Sequence, residues 1–178
     1  MGAITALTLA GRYPSVPRAI VLEDPPPWWL RTAGPPFNEQ WRIHMHTWIT
    51  GLQRHTREEL IAAQRTEAPN WSEAELGPWA ESKLRLRLSV FNQVSPPSVD
   101  WSVLLQRIIC PVLLITADPE RGAIVTEQHA AALQALVPYL RMAHIAGAGH
   151  NIRRDQFVRL MEVVRAFFSE LVEQGQVQ

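Results

Sequence analysis

The chain has 178 residues, 47% of them hydrophobic, which is one domain's length with enough apolar content to bury a core. Lys plus Arg and Asp plus Glu number 17 each, so no basic surplus points to nucleic acid or an anionic membrane as partner. A single cysteine, Cys110, excludes an intramolecular disulfide and a multi-cysteine zinc site, and suits a reducing compartment.

Residues 1–10 are apolar, but they lack a basic n-region and no A-x-A-like cleavage site follows. Ala6 stands where a myristoylation pattern needs Ser or Thr. No apolar run is long enough to span a bilayer, so the expectation is a cytoplasmic protein without a membrane partner. Gly2 to Tyr13 reads as a short helix of small and apolar residues, closed by Gly11 and Pro14. Arg18 to Asp24 reads as a buried parallel strand, a continuous apolar run stopped by Pro25-Pro26-Pro27.

From Trp28 to Trp101 the character changes. All seven tryptophans lie here, and Trp41, Ile43, Trp48, Ile49 and Leu52 recur at roughly helical spacing. Residues 28–101 are therefore predicted to form an inserted helical cap, leaving 1–27 and 102–178 as the α/β core. The α/β pattern then resumes. Pro111 to Thr116 reads as a strand, Thr126 to Leu136 as a helix, and Arg141 to Ile145 as a second strand. A last helix from Arg153 to about Val172 is predicted to carry Phe157, Leu160, Met161, Val164, Phe168 and Leu171 on one apolar stripe.

Two loops stand out because each follows a predicted parallel strand, and open α/β sheets gather functional groups at the carboxyl ends of their strands. The first is Ala117-Asp118-Pro119-Glu120-Arg121-Gly122, the second Gly147-Ala148-Gly149-His150-Asn151. An acid followed about thirty residues later by a histidine fits the acid–base half of a nucleophile–His–acid triad. His150 is the candidate base, with Asp118 or Glu120 as the acid and a slight preference for Asp118. His44-Met45-His46 is no metal site on a helix, because residues two apart do not share a face. Trp28 and Trp29 fit either of two roles, lining a substrate pocket or anchoring the cap.

These features together resemble the C-terminal part of an α/β-hydrolase. The resemblance rests on the Pro111-to-Ile115 strand with its acidic loop, on Gly147-Ala148-Gly149-His150, and on the closing amphipathic helix. It extends to the start, where Met1-Gly2-Ala3 looks like the residues just after a Gly-x-Ser-x-Gly elbow. The resemblance implies a partial parallel sheet with flanking helices, and no metal or organic cofactor. It also implies that the backbone N–H of Met1 helps to hold the oxyanion, and that the substrate is a small, mainly apolar ester or related acyl compound.

The departure from the family pattern is specific. No Gly-x-Ser-x-Gly occurs anywhere in the sequence, and loss of such a nucleophile costs on the order of a million-fold in turnover. The chain is thus expected to be inactive by itself, a truncated form starting at an internal Met. Its sheet edge is expected to be unpaired and open to self-association. The competing expectation is a non-catalytic protein that binds a ligand or partner through the tryptophan-rich cap.

Overall fold

The computed structural model describes residues 2–30, 39–92 and 99–175. These fall into two compact units, one of residues 1–33 with 99–178, the other of residues 34–98.

The first unit is an α/β layer structure. Helix α1 (Gly2–Arg12) leads into β1 (Ile20–Glu23), and the chain returns to this unit through the short α5 (Trp101–Gln106). Strand β2 (Val112–Ala117), helix α6 (Glu127–Leu136) and strand β3 (Leu140–Ile145) follow. The three strands are parallel, in the order β1-β2-β3, with Ile20 opposite Val112 and Val112 opposite Leu140. Strand β2 is central and its burial explains its composition: Val112 to Ile115 are all buried, with no alternation, as a strand covered on both faces requires.

The pleat divides the core into two. Leu22, Val112 and Leu114 pack with Leu7 and Ala10 of α1, Leu105 of α5 and Leu133 of α6. Leu113, Ile115 and Ala117 point to the other face, against Phe167 and Leu171 of the final helix. Helix α1 reaches its place through Gly11, where a Cβ would stand 2.5 Å from the Leu104 carbonyl oxygen, so the two helices touch backbone to backbone. Among the described residues β1 has no strand on its far side.

The C-terminal segment departs from one continuous helix. Helix α7 (Ile152–Asp155) is broken at Gln156, whose φ is −141°, before α8 (Phe157–Glu173) begins. The buried stripe of α8 matches the predicted one in part, keeping Leu160, Val164 and Leu171. Phe167 and Leu171 are buried and Leu160, Val163 and Val164 pack beside them, whereas Phe157 and Phe168 are exposed. Val158, Val163, Phe167 and Val172 are apolar as well and flank the predicted stripe, so periodicity alone admits a neighbouring phase.

The second unit is helical among its described residues. It comprises α2 (Glu39–Leu52), α3 (Arg57–Glu67), α4 (Glu73–Arg85) and a 3-10 turn over Leu88–Asn92. Helix α3 starts with a capping box, in which Thr56 accepts from the Glu59 N–H and Glu59 accepts from the Thr56 N–H. Its core is Leu60, Trp71, Leu76, Trp79 and Ala80, with Trp71 and Trp79 edge to face at 6.3 Å. No helix among the described residues is long and apolar enough to cross a membrane.

Candidate functional site

Three strand ends converge on one spot of the first unit. After β1 the chain turns at Asp24, after β2 at Asp118, and after β3 at the glycine-rich turn that ends in His150. Asp24 is completely buried, and its φ of 38° makes it the one non-glycine residue with positive φ among the described residues. A buried carboxylate in a sparsely populated backbone region must be held by its surroundings. Here it accepts the Ile124 N–H at 2.8 Å and the Val125 N–H at 2.8 Å, and its Oδ2 lies 2.8 Å from His150 Nδ1.

Burial pushes the Asp24 carboxyl upward, but the His150 hydrogen bond, the two backbone donors and the attraction of His150 outweigh it. Its pKa is held below the ordinary 3.8. An ionised Asp24 can only accept, so Nδ1 of His150 carries the proton toward it and Nε2 of the neutral ring is left as a proton acceptor. The His150 side chain is 48% exposed while Asp24 is shut away behind it. The arrangement can therefore take up a proton at Nε2 and stabilise the resulting imidazolium from within.

Asp118 has other partners. Its Oδ1 lies 3.0 Å from His144 Nε2, its Oδ2 accepts the Gly147 N–H at 2.7 Å, and Arg121 Nε is 3.6 Å away. The Gly147 N–H is the largest influence on the Asp118 carboxyl, and with His144 and Arg121 it holds the pKa below its usual range against some desolvation. Glu120 is exposed in a 3-10 turn over Pro119–Arg121. The carboxylate bonded to His150 is thus neither Asp118 nor Glu120 but Asp24.

No family model matches the sequence, and no curated protein matches it. Solved structures do. An N-formylmaleamic acid deformylase from Pseudomonas putida S16 is 21% identical with a TM-score of 0.65, over 91% of this chain and 62% of that one. An esterase from Mycobacterium tuberculosis is 18% identical with a TM-score of 0.61, over 93% and 57%. A peroxisomal α/β-hydrolase from Saccharomyces cerevisiae is 14% identical with a TM-score of 0.71, over 98% and 53%. This chain has the α/β-hydrolase fold, in part. It spans under two thirds of the length of each of these structures.

Within the α/β-hydrolase frame the remaining predicted residues separate. Met1 lies outside the described residues. Trp29 is buried in the core beside α1 and α6, and its indole N–H donates to the His129 carbonyl at 2.9 Å, which makes it a structural anchor. Trp28 is also buried, and its indole N–H has no hydrogen-bond partner among the described residues. Among the described residues no group of three or more His, Cys, Asp or Glu is placed to hold a metal ion. The residue that the sequence reading passed over is Asp24. Its signal was available in the rule that singled out Asp118, since it too is an acid at the carboxyl end of a parallel strand.

Proposed function

We propose that this chain supplies the acid–base half of an α/β-hydrolase active site, with His150 as general base and Asp24 as the carboxylate that orients it. The observation that carries this reading is the 2.8 Å bond between His150 Nδ1 and the fully buried Asp24. In the complete reaction a nucleophile from polypeptide outside this sequence attacks the acyl carbon and gives its proton to Nε2 of His150. Asp24 keeps Nδ1–H directed inward and balances the imidazolium, which then passes the proton to the leaving group. In the second half His150 takes a proton from water as the acyl-enzyme is hydrolysed.

The substrate class is a small, mainly apolar ester or related acyl compound. The esterases and the deformylase among the structural neighbours support that choice. An aspartate in place of a serine nucleophile would give the alkyl-ester chemistry of dehalogenases and epoxide hydrolases with the same histidine.

The missing Gly-x-Ser-x-Gly favours a second reading, in which the chain binds a ligand or partner without turnover. Short-chain nitrophenyl esters separate the two. This chain is compared with a version extended upstream through a nucleophile elbow and its strands. Turnover in the extended form alone, lost in His150→Ala and Asp24→Asn, supports the hydrolase reading. Turnover that survives His150→Ala defeats it.

A further inference from the structure

The acidic loop after β2 does more than end a strand. Asp118 binds the His150 turn twice: its carboxylate accepts the Gly147 N–H at 2.7 Å, and its own N–H donates to the Ala148 carbonyl at 3.0 Å. Its carbonyl in turn accepts the N–H groups of Arg121 at 3.0 Å and Ala123 at 3.2 Å. Ala123 directly precedes Ile124 and Val125, whose N–H groups grip Asp24. One residue therefore fixes both the turn that ends in the histidine and the segment that holds the histidine's carboxylate.

The packing of these two segments leaves little slack. Gly147 has a φ of 79°, which turns the chain out of β3 and directs its N–H at Asp118. At Gly149 a Cβ would stand 2.2 Å from the Arg121 carbonyl oxygen, so the His150 turn lies directly on the loop that Asp118 begins. The Gly149 N–H is separately held by Asp155 at 2.8 Å.

We propose that Asp118 is a positioning residue for His150: its carboxylate clamps the Gly147 N–H and so sets the histidine against Asp24. This rests on the reading of His150 and Asp24 as the acid–base pair. The bond from His144 to the same carboxylate is peripheral to this role, since His144 lies half exposed on β3 and touches neither member of the pair.

The test uses the whole chain and the imidazole N–H of His150 observed by proton NMR. A hydrogen bond to a buried carboxylate shifts that proton far downfield and slows its exchange with solvent. Asp118→Asn is the first variant, because its amide oxygen still accepts from Gly147 while the charge-assisted strength is lost. Exchange of the His150 proton is expected to quicken by about fivefold in Asp118→Asn and further in Asp118→Ala, and to stay at the wild-type rate in His144→Ala.

An unchanged rate in Asp118→Asn overturns the proposal. Equal effects of Asp118→Asn and His144→Ala also overturn it, by placing the influence on the ion pair and not on the Gly147 bond. Should Asp118→Ala fail to fold by circular dichroism, the comparison of Asp118→Asn with His144→Ala still decides. Failure of the underlying pair looks different: the downfield proton is then absent from the wild type, or survives in Asp24→Asn.

Discussion

His150 and Asp24 are 126 positions apart in sequence, yet Nδ1 of one lies 2.8 Å from Oδ2 of the other. The contact requires β1 and β3 to sit on opposite sides of β2, all three parallel, so that their carboxyl ends open on the same rim. It also requires Asp24 to leave β1 through positive φ, which turns the carboxylate under the histidine and not along the strand. Removing the carboxylate is expected to act on fold and site alike. Asp24→Ala leaves the Ile124 and Val125 N–H groups without their acceptor and should cost about 2–3 kcal/mol in urea denaturation. Asp24→Asn should cost less, yet in a version supplied with its nucleophile it should lower kcat by about ten-thousand-fold through the wrong His150 tautomer.

The charge state of Asp24 gives a second test, with a definite sign. Its folded-state pKa lies below 3.8, so the stability it contributes is complete above that value and is lost as the pH falls through the lower folded value. The carboxylate's own contribution to the stability difference between wild type and Asp24→Asn should therefore shrink below about pH 4. The Val125 amide proton, which points at the same carboxylate, should report the titration directly by NMR. A midpoint above 4 would contradict the pair's geometry.

How much of this was legible in the sequence differs from residue to residue. Strand β2 declared itself by four buried apolar residues in succession, and His150 by its place behind a Gly-x-Gly turn. Asp24 reads in the sequence only as the end of β1, because nothing local signals that its carboxylate meets a histidine 126 positions downstream. Asp118 stands out in the sequence as an acid at a strand end, but its partner depends on the register that sets Thr116 opposite His144. The stripe on α8 is legible at Leu160, Val164 and Leu171 but not at its edges, where Phe167 and not Phe168 turns inward, and the break at Gln156 carries no proline or glycine to mark it.

Trp29 separates a structural role from a ligand-binding one. Phenylalanine there keeps the packing against α1 and α6 but loses the bond to the His129 carbonyl. Trp29→Phe is expected to cost about 1 kcal/mol in stability and Trp29→Ala about 3–5 kcal/mol. In an extended, active version KM for nitrophenyl esters should be unchanged in Trp29→Phe. A raised KM with unaltered stability would instead place the indole against substrate.

Gly149 shows how tightly the histidine turn is built. The atom that an added Cβ would meet at 2.2 Å is a backbone carbonyl oxygen, that of Arg121, which cannot rotate away as a flexible side chain would. Gly149→Ala must therefore part the His150 turn from the loop that follows β2, and such overpacking costs about 1–3 kcal/mol. Gly149 directly precedes His150, so a shift of this turn is expected to disturb the bond to Asp24, and the downfield imidazole proton should weaken along with the fall in thermal midpoint. Gly122→Ala is the matched comparison. Gly122 has a φ of 91° but open space around its Cβ position, so it pays backbone strain of about 1 kcal/mol without pressing on the turn. Loss of the His150 signal in Gly149→Ala but not in Gly122→Ala would tie the histidine's placement to this one backbone contact, and equal loss in both would refer it to general loosening of the loop.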